Sequence, residues 1–280
     1  MTLYCILQVC EQNGEQKSEE KKERNLQKFP PFTQKMRNDL LKGEWLGDEH
    51  IHLAQRLLKA QFPHVNGLQS TLLSESDGFR TEQPDALQIH FVAGNHWVTS
   101  SSFGGEVVVY DSKFNGKLHP SLTHQLARIH KCLAITTDED GESTDPELVV
   151  KVTKVQQQLG ISDCGVFAIV FALHAALGDN LQKIMFDQSQ MRHHLLRCFQ
   201  KKKLLPFPHK NVTSLPLQTA LHFPYVHIEL FCTCLMPETY DNMVECGECG
   251  EWYHLKCMDL KQAPAEDEEW FCSRCSVDNL

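Results

Sequence analysis

Apolar and polar residues follow two different periods between residues 29 and 200. The stretch "DEHIHLAQRLLKAQF" places Ile51, Ala54, Leu57 and Leu58 on one helical face, which predicts an amphipathic helix. Three strand-like runs follow, "LQIHFVA", "HWVTSSS" and "EVVVYDS", and the "FGG" between the last two predicts a hairpin turn. The alternating run "ELVVKVTKV" predicts a further strand. Strands enclosed by helices predict an α+β domain.

The segment "QLGISDCGVFAIVFALHAAL" begins at Gln158 and is apolar nearly all round after Cys164, which predicts a buried helix. Asp163 can cap the helix N-terminus, and Gly165 allows another segment to approach closely. A cysteine in the first turn faces the positive end of the helix dipole, which favours the thiolate. Cys164 is therefore a candidate nucleophile, and a buried core thiol is the alternative.

Aperiodic segments divide the chain. Residues 1–28 are predicted to form a flexible charged arm, and the acidic "TTDEDGESTDPE" at 136–147 a surface loop. Residues 201–228 contain four prolines and are predicted to be a linker, partly extended and partly packed. The remaining divisions are a domain at 29–200 and a small module at 229–280.

Composition limits the function classes. The chain of 280 residues with 41% hydrophobic residues has room for one medium domain and a smaller one. No apolar run is long enough to span a bilayer, and the N-terminus lacks the basic start of a signal peptide, so we expect an intracellular protein without a membrane partner. Residues 229–280 contain twelve acidic and three basic residues, so this segment accounts for the whole net charge of −9. Such a module suits a basic partner, and no direct nucleic-acid binding is expected.

Four polar residues occur in an order that suits a thiol protease, which needs a nucleophile, a base, a group that orients the base and donors for the oxyanion. His96 starts one predicted strand and Asp111 ends the next, so a hairpin would bring them together. Gln158 can present its amide beside the backbone N–H of Cys164. Each residue alone has an ordinary structural explanation, and their conjunction favours catalysis.

These motifs resemble a known family. "HW", then "VYDS", then a glutamine five residues ahead of "DCG" is similar to the Ulp/SENP-type cysteine proteases, which have a papain-like fold and process ubiquitin-like modifiers. The resemblance implies that His96 is the general base, Asp111 its orienting acid, Gln158 the oxyanion donor and Cys164 the nucleophile. It leaves open whether the modifier is SUMO, ubiquitin, a NEDD-like protein or another.

The same resemblance implies substrate-binding residues. "EWLGDEHI" at 44–51 is similar to the stretch that opens these catalytic domains. Trp97 resembles a tryptophan that roofs a narrow tunnel for the modifier's C-terminal Gly-Gly, and Asp48 resembles an acid that contacts the modifier. Trp45, in the same stretch as Asp48, is predicted to bind substrate as well.

The tail carries a metal-binding pattern. Seven of the twelve cysteines lie there, in close pairs with one histidine among them, which favours metal over disulfides in an intracellular protein. Each close pair supplies half of a tetrahedral site, so eight ligands predict two structural Zn²⁺ ions, without which so small a core would not hold together. The ligands are Cys232, Cys234, Cys246, Cys249, His254, Cys257, Cys272 and Cys275.

The order of four cysteines, a histidine and three cysteines resembles the PHD finger. RING domains use related orders, but Trp270, two residues before the seventh ligand Cys272, is PHD-like. The family's cross-brace implies that one zinc is bound by the first and third ligand pairs and the other zinc by the second and fourth pairs.

PHD fingers commonly bind histone tails, and the resemblance implies a methyl-lysine cage of Tyr240, Met243 and Trp252. A quaternary ammonium is attracted to aromatic ring faces. Acidic residues near the cage, among them Asp241 and Glu245, would suit a basic peptide. The alternative is that the tryptophan and methionine only cover the small core.

The sequence thus predicts an isopeptidase that acts on a ubiquitin-like modifier or its conjugates and is targeted by a finger that binds a methylated histone tail. We expect it in the nucleus, with the cytoplasm left open. A catalytically inactive adaptor that binds histone tails is the alternative from another class, although all four catalytic positions are filled. The third interpretation is a zinc-dependent partner of a RING-type ligase, which the PHD-like tryptophans disfavour.

Overall fold

The structure is a computed structural model that describes residues 29–74, 78–137, 143–215, 225–239, 242–265 and 268–277. The predicted arm at 1–28 lies outside the described residues. Within the described ranges, no helix is both long and apolar enough to cross a bilayer.

The elements follow the predicted order of helices and strands. The α-helices are α1 (Gln34–Lys42), α2 (Asp48–Gln61), α3 (Pro120–His130), α4 (Cys164–Ala176), α5 (Gln188–Lys201) and α6 (Ser273–Val277). The strands before the tail are β1 (Asn66–Gly67), β2 (Ala86–Val92), β3 (His96–Ser101), β4 (Val107–Tyr110), β5 (Ile135–Thr137), β6 (Ser143–Val152), β7 (Ile184–Phe186), β8 (His209–Asn211) and β9 (Tyr225–Glu229). The tail contributes β10 (Met243–Glu245) and β11 (Trp252–His254).

The larger part of the chain is built around one β-sheet that contains both parallel and antiparallel strand pairs. Its order is β1-β2-β3-β4-β6-β5, and β9 also pairs with β6. β1–β2 and β4–β6 are parallel, whereas β2–β3 and β3–β4 are antiparallel. The hairpin predicted at "FGG" is confirmed, because Phe103–Gly105 forms a short 3₁₀ turn between β3 and β4 with Gly104 at φ 73°. The α+β prediction is confirmed as well.

Helix α4 is the centre of the main core, as its apolar sequence predicts. Phe167 and Phe171 are fully buried, and each such side chain contributes about 1.5–3 kcal/mol when removed from water. Thr99 Oγ1 on β3 donates a hydrogen bond to the Ala168 carbonyl at 2.8 Å. The helix that begins at Cys164 is therefore fixed to the strand that begins at His96.

The opposite face of the sheet is covered by α3 and by the start of the tail. Leu122 and Leu126 of α3 pack in one cluster with Val98 of β3. Leu230 and Met236, which flank the first two tail cysteines, belong to the same cluster and are 2% and 6% exposed. The tail is thus anchored in the core behind the sheet.

The described part of residues 201–228, predicted to be a linker that is partly extended and partly packed, contains both packed side chains and strand segments. Leu204 and Phe207 are buried, and Gln61 bonds both the carbonyl and the N–H of Leu204. β8 pairs with β7 and β9 with β6, while residues 216–224 lie outside the described residues. Prolines suppress helical periodicity but leave extended segments able to pack and to pair at a sheet edge, so these segments lack the pattern of a regular element.

The segment at 136–147, predicted to be an acidic surface loop, is partly β-strand. β5 ends at Thr137 and β6 begins at Ser143, so strand residues lie at both ends of the segment, and 138–142 are outside the described residues. Charged side chains are tolerated on exposed edge strands, which is why an acidic run need not be a loop.

Candidate active site and metal centres

His96 and Asp111 meet at one end of the sheet. His96 is the first residue of β3 and Asp111 follows β4, and the antiparallel pairing of Thr99 with Tyr110 brings these ends together. The His96 Nε2–H donates to Asp111 Oδ1 at 2.7 Å, and that oxygen also accepts the Lys113 backbone N–H at 2.8 Å. The carboxylate therefore orients the imidazole, and the nitrogen left to exchange a proton is Nδ1.

The electrostatics of His96 involve both of its predicted partners. Burial disfavours the imidazolium, but hydrogen bonds to Asp111 and to Cys164 outweigh it and raise the pKa of His96 to about 9. The side chain is 17% exposed, so the pair is only partly shielded from water. A thiol that interacts with an imidazole, which is itself hydrogen-bonded to a carboxylate, has the arrangement of an activated nucleophile.

Cys164 is recessed but not sealed in hydrocarbon. It is the first residue of α4 and is 2% exposed, while its thiol interacts with His96. Gly165 is required beside it, because a Cβ there would lie 2.9 Å from Leu46 Cβ and 3.1 Å from Trp97 Cδ1. The close approach predicted at Gly165 is thus confirmed.

Asp163 occupies the N-cap position of α4, but its side chain forms no capping hydrogen bond. Its carboxylate accepts from Arg192 Nε and from Gln188 Nε2, each at 2.6 Å. Arg192 also donates to the backbone carbonyls of Ser162 and Glu44, both at 2.8 Å. An ion pair with the partly buried Arg192, whose side chain is 13% exposed, takes the place of the predicted cap.

Arg192 and Gln188 are positioning residues that sequence reasoning missed. Gln188 additionally exchanges hydrogen bonds with both backbone groups of Leu159, so α5 holds the turn that leads into Cys164. Both residues lie on an amphipathic helix about 25 residues beyond the cysteine, where polar residues are expected to face solvent. Their contact with Asp163 could not be predicted from the sequence, because it depends on how the fold orients α5.

Gln158 lies between the sheet and the Cys164 turn. Its side chain is held by Ser112, whose hydroxyl donates to Oε1 at 2.9 Å, and its Nε2 donates to the Gly160 carbonyl at 3.1 Å. Its backbone N–H donates to the Ser112 carbonyl. The side-chain amide of Gln158 is therefore held in place six residues before Cys164, but its N–H donates to the Gly160 carbonyl in the turn between them.

The three residues predicted to bind substrate differ in their solvent exposure and in their hydrogen bonds. Trp97 is 3% exposed, and its indole N–H donates to the Leu46 carbonyl at 2.8 Å, so its ring is fixed in the core next to Gly165. Trp45 is 43% exposed and lines a groove beside His96. Asp48 accepts a hydrogen bond from Thr71 at 2.6 Å, which occupies one of its oxygens.

The tail brings its eight predicted ligands into two groups of four. Cys232, Cys234, His254 and Cys257 form one group, and Cys246, Cys249, Cys272 and Cys275 form the other. Within each group the ligand atoms lie within 4.8 Å of one another. Four soft ligands at this spacing fit a closed tetrahedral Zn²⁺ site, so the predicted cross-brace and two structural zinc ions are confirmed.

The hydrogen bonding around the first group also suits zinc. His254 Nε2 lies 3.0 Å from the Pro237 carbonyl, which fixes the ring and leaves Nδ1 for the metal. Nδ1 is 3.3 Å from the sulfur of Cys234, as expected for two ligands of one ion.

Two of the three predicted cage residues share a face of the tail hairpin. In the β10–β11 register Met243 opposes His254 and Glu245 opposes Trp252, so Met243 and Trp252 are diagonal neighbours on one side. Both line a groove of about 750 Å³ that also contains the acidic residues Glu245, Glu248, Glu268 and Glu269. Tyr240 and Asp241 lie outside the described residues.

Sequence comparisons identify the tail. Residues 232–275 match the family model described as PHD-finger. The chain is 43% identical over 42 residues to the transcription initiation factor TFIID subunit 3 of Xenopus laevis, which is 15% of this chain and 5% of that protein. It is 44% identical over 46 residues to the lysine-specific demethylase JMJ17 of Arabidopsis thaliana, which is 16% of this chain and 4% of that protein. The match to the Arabidopsis chromatin remodeling protein SHL is 38% over 52 residues, 18% of this chain and 22% of that protein.

Structural comparison finds the SUMO protease Ulp1. A Ulp1 structure with its catalytic cysteine oxidised to a sulfenic acid is similar with a TM-score of 0.43 and 17% identity, over 60% of this chain and 82% of that chain. The C-terminal Ulp1 protease domain in complex with Smt3, the yeast ortholog of SUMO, is similar with a TM-score of 0.41 and 17% identity, over the same shares.

Proposed function

We propose that this protein is a thiol peptidase that cleaves after the C-terminal Gly-Gly of a ubiquitin-like modifier, and that its PHD finger binds a methylated histone tail. The observation that carries the enzymatic part is the His96–Asp111 hydrogen bond of 2.7 Å, together with the interaction of that imidazole with Cys164 at the N-terminus of α4. The substrate class follows from the resemblance of the motifs around these residues to Ulp/SENP-type proteases. The names of the matched relatives, which include a transcription initiation factor subunit and a chromatin remodeling protein, support a nuclear location.

The chemistry proceeds in two balanced steps. Cys164 transfers its proton to His96, and the thiolate attacks the carbonyl carbon after the glycine pair. The C–N bond then breaks as the imidazolium gives its proton to the leaving amine, which leaves a thioester. Water attacks this thioester with His96 as base, and the proton returns to the thiol as the C–S bond breaks. General acid–base help of this kind is worth about 10²–10⁴-fold.

Two groups can donate hydrogen bonds to the oxyanion in this proposal. The first N–H groups of an α-helix have no intrahelical acceptor, so the Cys164 N–H is available at the start of α4. Gln158 Nε2 is the second donor, provided that it exchanges its bond to the Gly160 carbonyl for the substrate oxygen. Ser112, which holds the other end of the amide, keeps Gln158 in position for this exchange.

The proposal is tested with modifier fusions. SUMO, ubiquitin and NEDD-like proteins, each extended by a short peptide after Gly-Gly, are incubated with the full chain, and products are followed by mass. Cleavage of at least one fusion after the second glycine is expected. If the folded protein cleaves none of them, and no C-terminal Gly-Gly electrophile reacts with it, the peptidase proposal is wrong.

The pH profile reports on the histidine–aspartate pair. The His96 pKa of about 9 lies above the ordinary 6.5, so the imidazolium that protonates the leaving amine persists up to that pH. We expect kcat/KM to fall above about pH 9. Asp111→Asn removes the hydrogen bond that contributes most to raising this pKa, so the alkaline limb of kcat/KM should move to lower pH. An unchanged limb in this variant would contradict the assignment of Asp111.

The histone-reading part is tested on Trp252. Titration with a trimethyl-lysine histone peptide should give tighter binding than with the unmodified peptide, and Trp252→Ala should remove roughly threefold to thirtyfold of that affinity, the worth of one cation–π contact. Trp45→Ala is the matched control, because both tryptophans are 43% exposed and Trp45 lies outside the finger. Equal affinities for the two peptides would contradict a cage.

A further inference from the structure

A groove of about 510 Å³ opens beside the histidine–aspartate pair. Its catalytic edge is formed by His96 and Asp111, and its far wall by the segment that follows β4, including Lys113 and Lys117. Cys164 is not among the described residues that line it. The groove therefore extends from the site on the histidine side.

The histidine side is where the leaving group departs. In acyl transfer the base that takes the nucleophile's proton gives it to the leaving amine, so that amine must lie within hydrogen-bond reach of the imidazole. The chain beyond the scissile amide then continues from His96 into the groove. This step depends on the proposed peptidase function.

The charge in this groove is positive. Lys113 and Lys117 are exposed, and neither takes part in an ion pair between described residues. Asp111 is the one carboxylate among the described residues that line the groove, and its Oδ1 is already bonded to His96 and to the Lys113 N–H. The unbalanced charge facing an entering peptide is thus that of the two lysines.

Apolar side chains line the groove near its catalytic edge. Trp45 and Ile161 are 43% and 64% exposed, although large apolar residues are usually buried. They offer contact to the hydrocarbon stem of a lysine that enters beside His96. Carboxylates on either side of that lysine would reach Lys113 and Lys117.

We propose that this groove is a leaving-side subsite that selects conjugates in which the modified lysine is flanked by acidic residues. The occupant is the acceptor peptide of the conjugate, and recognition comes from charge complementarity with Lys113 and Lys117. Two exposed ion pairs correspond to about threefold to twentyfold in kcat/KM. Because both lysines are exposed, the preference weakens as salt screens them.

The experiment uses two isopeptide substrates that carry the same modifier on the same lysine, flanked either by glutamates or by lysines. At about 0.02 M salt, the full-length wild-type protein should cleave the glutamate substrate with a higher kcat/KM than the lysine substrate. At about 0.5 M salt it should lose much of this preference, because the electrostatic screening length is then roughly fourfold to fivefold shorter. The double variant K113E/K117E should reverse the order of the two substrates. Lys210→Glu, an exposed lysine on β8 outside the groove, is the control and should keep the wild-type ratio.

The outcomes separate this inference from the peptidase proposal. If a fluorogenic probe with no peptide after Gly-Gly and both isopeptides are all left intact, the peptidase proposal fails. If the probe and both isopeptides are cleaved and the ratio of the isopeptides is the same in wild type and in K113E/K117E, the acidic leaving-side subsite is wrong while the peptidase stands. A ratio that reverses with the double variant and not with Lys210→Glu supports the subsite.

Discussion

Replacing Cys164 with alanine is expected to lower kcat/KM for a Gly-Gly modifier fusion by about 10⁴-fold or more, because Cys164 is the thiol that interacts with the base His96. The structural effect should be small, since the side chain loses one buried sulfur at a helix end. Cleavage is measured by product mass, and folding by thermal melting. The matched control is Cys132→Ala, an exposed cysteine away from α4, which should keep wild-type turnover. Turnover of the Cys164 variant within tenfold of wild type would contradict the nucleophile assignment.

Removal of zinc is expected to destabilise the catalytic part of the chain and not the finger alone. Met236 lies two residues after the ligand Cys234 and is buried in the cluster that contains Val98 of β3. If the first zinc group opens, Met236 loses this packing, at a cost of about 1.5–3 kcal/mol. This corresponds to a decrease of about 4–10 °C in the melting temperature for a domain of this size.

The two zinc groups provide an internal comparison. Cys257→Ala disrupts the group that includes Cys234, whereas Cys249→Ala disrupts the other, whose members Cys246 and Cys272 are buried in the finger's own cluster. The readout is the temperature at which a Gly-Gly electrophile ceases to label Cys164. Cys257→Ala should lower this temperature more than Cys249→Ala. Equal values, both unchanged from wild type, would contradict the coupling of the finger to the sheet.

The elements that position the site could be predicted because their sequence signals are local. The apolar run after Cys164 can only be stable when buried, and the alternation around His96 and Asp111 has the period of strands. A short turn between those strands then places both side chains at one end of the sheet. The zinc ligands were predictable for the same reason, since close pairs of cysteines restrict which atoms can meet.

What the sequence did not reveal depends on distant packing. The interaction of Arg192 with Asp163 joins two helices across 29 positions, and neither residue carries a local signal of it. The burial of Trp97 is set by Leu46 and by the missing side chain at Gly165. Strand β9 was assigned to a linker because prolines conceal an edge strand that is defined by its partner β6.

The most direct test of the account is the site at which a modifier C-terminal electrophile reacts. The full-length protein with zinc is treated with SUMO, ubiquitin and NEDD-like probes that end in a Gly-Gly electrophile, and the adduct is located by intact mass and peptide mapping. We expect a single adduct, on the peptide that contains Cys164, although the chain has twelve cysteines. Absence of an adduct with every probe, or an adduct confined to the tail cysteines, would contradict it.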